Sequence, residues 1–385
     1  MILELLLFIL YALTVGIVLM TYLFYPFIAK LTFKENEKNN PTKDCGALYV
    51  IIPAYNEESV IDEKIKNSLK YLGPKDEIVV VSDASDDSTN SICTIIAEED
   101  EKVRFYVNHE RGGKNTCLNL AVEKINANKN DILIFTDCNT FFDENSLLEI
   151  KKSLQAGSSL VAGSMVYQSM ESESAVSEGL YWRYEEWIRR NESENGRLIV
   201  CNGGLFGMWA NCYETLPPFV PNDFEGPLRL CGEGEHVMIN PEAKGIEPAI
   251  NSPKEEYSRK KRMANRQMNC ILYLWKDLNI GTKNQVLFHK LFRWFGMHLF
   301  LLSTVFILFI RLLTMSLMID LLLIAHFTII GVIILALINQ YLNVEKKLLP
   351  KILHAVKVHV YGAKGALKAI FGTKTSIWEK AKTNR

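Results

Sequence analysis

The sequence predicts an α/β domain with a mostly parallel β-sheet, flanked by transmembrane helices. Short apolar runs alternate with helical patterns between residues 48 and 155, and other long stretches of the chain are almost free of charge. Short, wholly apolar runs are typical of parallel strands that helices cover on both faces. The uncharged stretches are long enough to cross a bilayer, which takes about 20 residues.

Four strand–helix units open the predicted domain. The strands cover residues 48–53, 77–82, 103–108 and 131–136, and the helices cover about 58–71, 87–100, 114–127 and 144–155. Asp143 is the predicted N-cap of the last of these helices, because aspartate accepts hydrogen bonds from free helical N–H groups. Further strands are expected at 160–168 and 237–243, with a helix at 173–194 between them.

The apolar stretches predict one membrane-spanning helix at residues 1–28 and two at 289–342. Lysines follow the first and third spans: Lys30, Lys34, Lys38, Lys346, Lys347 and Lys351. The positive-inside rule therefore predicts an inner-membrane protein whose central domain, at 47–275, is cytosolic and follows a linker at 29–46. A cleaved signal peptide is the alternative for the first span, but neither Lys nor Arg precedes that apolar run.

The segment 348–385 is predicted to contain a basic amphipathic helix at the membrane surface. One helical stripe is apolar: Ile352, Val356, Val360, Ala363, Leu367 and Ile370. Lys357, Lys364 and Lys368 lie on the opposite face, which suits contact with membrane lipid. A helix that packs within a soluble domain is the alternative.

Overall charge and cysteine spacing exclude other classes of protein. The net charge is −1, which gives no basis for nucleic-acid binding. The eight cysteines include no C-x-x-C pair, so reduced thiols are expected rather than disulfides or a zinc site.

The loops after the predicted strands are acidic where a dinucleotide site would be glycine-rich. The loop after the first strand reads P-A-Y-N-E-E at 53–58, and the sequence contains no P-loop motif. Glu57, Asp83 and Asp137 follow the first, second and fourth strands. Such a cleft would bind phosphate through a metal, or would bind hydroxyl and N–H groups of a sugar or base.

Asp137 and Asn139 are the candidate metal ligands. Side chains two residues apart in an extended segment point the same way, so the two oxygens would face one site. Mg²⁺ or Mn²⁺ accepts ligands of this kind. The alternative is that the strand simply ends in turn residues.

Three further motifs are candidates for the same site. E-R-G-G-K-N at 110–115 contains Arg111 and Lys114, which would neutralise phosphate, and the glycine-rich C-N-G-G-L-F-G-M-W at 201–209 resembles backbone that lines a pocket more than a surface loop. Asp223 begins a predicted helix as a cap or a general base. The basic run at 259–266 is a nucleotide-binding element or a membrane-surface charge run.

Taken in order, these motifs resemble those of the membrane-bound family-2 glycosyltransferases, over about residues 45–270. The family includes cellulose, chitin and hyaluronan synthases and bacterial exopolysaccharide transferases. The resemblance implies a GT-A-type nucleotide-sugar domain and an inverting hexosyl- or N-acetylhexosaminyltransferase. It would use a nucleoside diphosphate sugar, usually a uridine one, and a glycan or lipid-linked acceptor in cell-surface polysaccharide or glycolipid synthesis.

The resemblance also implies roles for individual residues. Asp223 would be the general base and Arg262 would stabilise the leaving diphosphate, while Asp137 and Asn139 would hold a divalent metal. Substrate binding is implied for a further set: Pro53, Tyr55, Glu57, Asp83, Lys114, Gly203, Gly204 and Arg259.

The sequence departs from the family pattern at three places. Asn139 and Asn222 stand where the family has acids, and the Q-x-x-R-W motif of processive enzymes is represented only by Arg259, Arg262 and Met263. Addition of one or few sugars is therefore as compatible with the sequence as polymer synthesis. A polyprenyl-phosphate sugar transferase and a non-catalytic nucleotide-sugar-binding membrane protein are the alternatives.

Overall fold

The computed structural model describes residues 1–31, 44–168, 173–248, 253–341 and 349–375. Its strands are β1 Leu48–Ala54, β2 Glu77–Asp83, β3 Val103–Asn108, β4 Ile132–Thr136, β5 Phe141–Phe142, β6 Leu160–Gln168, β7 Leu205–Trp209 and β8 Val237–Pro248. They form one eight-stranded sheet in the order β3-β2-β1-β4-β7-β6-β8-β5.

The sheet is parallel in its first half and mixed in its second. The pairs β3–β2, β2–β1 and β1–β4 are parallel, as predicted. β7 runs antiparallel to both β4 and β6, whereas β8 is parallel to β6. The carboxyl ends of β1–β4, β6 and β8 therefore meet the amino end of β7 at one edge of the sheet.

β7 occupies the second half of the stretch 201–209, for which the sequence predicts pocket-lining backbone but no strand. Its five residues are buried in the middle of the sheet, and the ring of Phe206 stacks on that of Phe135 with 5.0 Å between centroids. Only the part that precedes β7 is a loop. Because Leu205 pairs with Thr136, this loop lies beside the end of β4.

Thirteen α-helices accompany the sheet in the described residues. They are α1 Ile2–Leu19, α2 Tyr25–Leu31, α3 Ile61–Leu69, α4 Thr89–Glu99, α5 Lys114–Ile125, α6 Ser146–Gln155, α7 Glu173–Ser193, α8 Asn222–Glu233, α9 Pro253–Leu274, α10 Ile280–Gln285, α11 Phe292–Leu313, α12 Leu317–Tyr341 and α13 Leu349–Ile370. The predicted cap of α6 is wrong: the helix begins at Ser146, and the Asp143 carboxylate accepts only from the N–H of Glu144, outside it.

Both faces of the sheet are buried, which explains the wholly apolar strands. Ile51 and Val79 point into a core that α5, α8 and α9 complete. Their neighbours Val50 and Val80 point into a second core, formed with α3, α4 and α6. Alternate side chains of one strand thus enter opposite cores, so no position in the strand favours a polar residue.

In the part of the chain that the structure describes, three helical segments are long and apolar enough to cross a membrane: Ile2–Lys30, Ile280–Leu313 and Leu317–Tyr341. A buried ionic cluster lies where the second of these segments, Ile280–Leu313, meets α7. One Glu185 oxygen is 3.0 Å from His289 Nε2 and 2.8 Å from Lys290 Nζ, and the other accepts from Arg293. Cations this close to an apolar segment are stabilised by a carboxylate partner. The cluster therefore links the segment Ile280–Leu313 to α7.

α13 packs on α9 through small residues, of which Ala363 belongs to the predicted apolar stripe. Gly362, Ala363, Gly365, Ala366 and Ala369 are buried in that helix. The large apolar residues of the stripe point outward, half-buried or exposed, as Leu367 and Ile370 illustrate. Small residues permit close helix packing and leave the outer face apolar and basic, and part of 348–385 lies outside the described residues.

Candidate active site

The candidate site lies at the sheet edge where the strand ends meet. Asp137 directly follows β4, and its side chain is 33% exposed. Lys114, the first residue of α5, places its Nζ 2.6 Å from Asp137 Oδ1. The same ammonium donates to the carbonyl of Gly203 at 3.4 Å. Three motifs that are distant in sequence thus meet at one lysine.

Asp223 faces this group from the first turn of α8. A methyl group added to Gly203 would lie 3.4 Å from Asp223 Oδ2, and the carbonyl of Asp223 accepts from the N–H of Cys201. Burial raises the pKa of Asp223, the charges of Lys114 and Arg266 lower it, and that of Asp137 raises it. The side chain is thereby an acid with a raised pKa beside an exposed cleft, which is a property of catalytic bases.

Asp83 and Glu57 are almost wholly buried, at 5% and 2% exposed. The two Asp83 oxygens accept from the N–H groups of Gly112 and Gly113, each at 2.8 Å. Gly113 has φ +90°, a conformation that favours glycine and turns both amides toward the carboxylate. In this structure Asp83 holds the loop that presents Lys114, and its predicted contact with the donor remains a prediction.

The loops that follow β1 and β2 are joined by hydrogen bonds. Asn56, in the left-handed region at φ +53°, exchanges hydrogen bonds with Asp86 through its side chain. Glu58 accepts from the N–H of Ser88 and donates its own N–H to Asp87. The acidic residues Glu58, Asp86 and Asp87 thus hydrogen-bond the loop after β1 to the loop after β2.

The other predicted binding residues lie on the rim or floor of the same cleft. Tyr55 lies under the guanidinium of Arg111, 3.7 Å from ring centroid to Cζ. Pro53 is buried, and its carbonyl accepts from the thiol of Cys138, between the two metal-ligand candidates. Asn139 is half-buried beside it.

The basic face of α9 lies along the site. Arg259, Arg262 and Arg266 are spaced by three and four residues, so they lie on one side of the helix. Arg266 donates to the carbonyl of Val220, just before α8, and its charge lowers the pKa of Asp223. Arg266 was not among the predicted site residues, although its helical spacing from Arg262 could have identified it.

Glu247 is a second residue that the sequence did not reveal. It lies near the end of β8, and the hydroxyl of Thr140 donates to its carboxylate. Burial, reinforced by the charge of Asp137, raises the pKa of Glu247. No local pattern marks it, because only the parallel pairing of β8 with β6 brings it to this edge.

Gly204 is packed tightly against this carboxylate, and Gly203 is not. A Cβ at Gly204 would lie 2.6 Å from Glu247 Oε1 and 2.7 Å from Thr140 Oγ1, whereas a Cβ at Gly203 makes ordinary contact. We expect Gly204→Ala to lower the free energy of unfolding by about 1–3 kcal/mol, the usual range for overpacking, and Gly203→Ala by much less. Thermal unfolding of the two purified variants measures the difference, and equal stabilities would contradict the packing described.

The oxygen ligands fit a divalent metal that is shared with a phosphate ligand. Asp137 is partly exposed and already holds a cation, the ammonium of Lys114. Among the described residues, no three His, Cys, Asp or Glu side chains are arranged to enclose a metal ion. Mg²⁺ is commonly held by one or two carboxylates together with substrate phosphates, and Asp137 with Asn139 matches that arrangement.

Comparisons with known proteins agree with this fold. Residues 49–215 match the sequence model of Glycosyl transferase family 2. The glycosyltransferase AglD of Haloferax volcanii is 31% identical over 113 residues, which are 28% of this chain and 18% of AglD. The glycosyltransferase GlyG of Streptococcus pneumoniae is 24% identical over 137 residues, 36% of this chain and 40% of GlyG. The matches thus span less than half of either relative.

The fold is similar along nearly the whole chain to that of a solved enzyme. The mannosyltransferase PcManGT from Pyrobaculum calidifontis, in complex with GDP-Man and Mn²⁺, superposes with a TM-score of 0.63 at 20% identity, covering 97% of this chain and 100% of that one. The chain therefore has a GT-A-like mixed α/β sheet accompanied by apolar helices. The similarity to Glycosyl transferase family 2 lies within this sheet domain and spans less than half of the chain.

Proposed function

We propose that this protein transfers a sugar, with inversion, from a nucleoside diphosphate sugar to a hydroxyl group of a glycan or lipid-linked acceptor. The observation that supports this most directly is the meeting of Asp137, Lys114 and Asp223 in one cleft, with Lys114 2.6 Å from Asp137. Such a reaction needs three groups. Asp137 would hold the donor phosphates through a metal, Lys114 supplies a cation between the two acids, and Asp223 is a second carboxylate for the acceptor.

In the proposed reaction the acceptor oxygen forms a bond to the anomeric carbon while the bond to the diphosphate oxygen breaks. The acceptor proton passes to the Asp223 carboxylate, whose ionised form the charges of Lys114 and Arg266 favour against the effect of burial. One-step inversion needs no second nucleophilic carboxylate. The nearby Glu225 is a poorer candidate for the base, because it is buried and pairs with Arg229 at 3.0 Å.

The leaving nucleoside diphosphate gains negative charge, which positive groups of this chain would stabilise. Lys114 lies beside Asp137 at the sheet edge that forms the site, and Arg262 lies on the basic face of α9 between Arg259 and Arg266. A divalent metal on Asp137 and Asn139, when bound, would neutralise the diphosphate oxygens. Lys114 would then exchange Asp137 for a phosphate.

The proposed setting is the cytosolic face of the inner membrane. Three apolar helices and the lysines that follow the first and third support it. In this arrangement 1–28 and 289–342 are membrane domains, 29–46 is a linker, 47–275 is the catalytic domain, and 348–385 contacts the membrane surface. A uridine donor remains the prediction from the motifs, whereas the GDP-Man bound to PcManGT makes a guanosine donor the second candidate.

A donor panel tests the proposal. Purified membranes that contain the protein are supplied with UDP- and GDP-linked hexoses and N-acetylhexosamines, with and without Mn²⁺ or Mg²⁺, and nucleoside diphosphate release is measured. We expect metal-stimulated release with one donor class. If no donor is turned over, no nucleotide sugar binds, and the protein is shown to be folded, the chain is a non-catalytic membrane protein and the proposal is wrong.

A further inference from the structure

Lys64 on α3 is wholly buried directly beneath the predicted metal-ligand turn. Its side chain is 0% exposed, and its Nζ donates to Thr136 Oγ1 at 3.1 Å and to the carbonyl of Thr140. The ammonium also lies 3.6 Å from the ring centroid of Phe142. Lysine is almost never fully buried without a specific reason, because removing its charge from water is costly.

The contacts of Lys64 bracket the turn that carries Asp137 and Asn139. Thr136 immediately precedes this turn and Thr140 immediately follows it, so one ammonium group joins its two ends. One helical turn further along α3, Asn67 donates to the carbonyl of Phe142 at 3.2 Å and accepts from its N–H at 2.8 Å. α3 therefore holds residues 136–142 at three points.

Ionisable side chains of the site also lie near the Lys64 amine. Burial lowers the pKa of Lys64 to about 7, and the neighbouring Cys138, Asp137 and Glu247 oppose that change. Among the described residues Lys64 forms no ion pair within 4 Å. Its Nζ is instead hydrogen-bonded to the two ends of the turn, at Thr136 and Thr140.

We propose that Lys64 is a positioning residue for the donor site, which fixes the turn that carries Asp137 and Asn139 through its hydrogen bonds to Thr136 and Thr140. The inference rests on the proposed function, since it assigns those two residues to the metal–diphosphate site. Lys64 acts through Thr136 and Thr140 and does not itself touch the donor. An apolar residue at this position would fill the space but would leave Thr136 and the Thr140 carbonyl without their donor.

Lys64→Met tests this role against Lys66→Met, a change on the same helix. Lys66 is exposed and pairs with Asp62 on the surface, so its loss should matter little. Residues that orient metal ligands typically contribute about 10–100-fold to metal affinity. We expect Lys64→Met to weaken Mn²⁺ binding by about tenfold or more in the presence of UDP or GDP, measured by the EPR signal of free Mn²⁺. The donor KM should rise more than kcat falls at saturating Mn²⁺.

Thr136→Val provides a second test in case Lys64→Met fails to fold. It retains the buried lysine and removes one of its acceptors, so we expect a smaller loss of Mn²⁺ affinity in the same direction. If wild-type protein is active while neither folded variant changes Mn²⁺ affinity, Lys64 is a packing residue and the inference is wrong. Wild-type protein that turns over no donor would instead overturn the proposed function.

Discussion

Asp223→Asn is expected to lower transfer to a hydroxyl acceptor by about 10²–10⁴-fold, the usual contribution of a general base. The amide keeps the shape of the side chain and its place at the start of α8, but it cannot accept the acceptor's proton. Donor binding depends on Lys114 and Asp137 and should change little. Initial rates with saturating donor, together with direct binding of the nucleotide, measure both effects.

Glu233→Gln is the matched control for this variant. Glu233 lies at the other end of α8, is about half exposed and pairs with Arg229, so near-normal transfer is expected. Full transfer by Asp223→Asn would instead favour a polyprenyl phosphate acceptor, which needs no base. The pH profile gives an independent check. Since burial raises the pKa of Asp223, wild-type activity should fall on acidification at a pH above the ordinary aspartate range of about 4, and this limb should disappear in Asp223→Asn.

Asp137→Asn is expected to remove most metal stimulation and to lower transfer at least about a hundredfold. A metal that neutralises a leaving diphosphate contributes several kcal/mol, and each 1.36 kcal/mol is about a factor of ten in rate. The amide is a weaker ligand and also loses the ion pair with Lys114. Rates measured across a Mn²⁺ titration distinguish lost metal affinity from lost turnover.

Asn139→Ala is the comparison for Asp137→Asn, since it removes the neutral member of the pair. A clearly smaller effect is expected, because a neutral amide oxygen binds a hard cation less strongly than a carboxylate does. Turnover that is equally fast without any divalent metal would overturn the role assigned to Asp137. In that case Lys114 and the arginines of α9 would be the groups that stabilise the leaving diphosphate.

The sequence alone was sufficient for features that depend on local pattern. Strands β1, β2 and β4 are buried on both faces, so they appear as nearly uninterrupted apolar runs, and their helices follow within short loops. The three apolar helices found among the described residues are evident from composition, because each is a long stretch with few charged residues. The clustering of Asp137 and Lys114 also followed, because the carboxyl ends of parallel strands share one edge.

Only the tertiary structure decided which distant segments complete the site. The order of strands after β4 depends on pairings that no local pattern encodes, and these pairings insert β7 and bring Glu247 beside Asp137. Lys64 looks in sequence like any helical lysine, yet α3 packs it beneath the turn at Thr136. Burial and periodicity are local properties of a chain, whereas the partner of a buried charge is set by long-range packing.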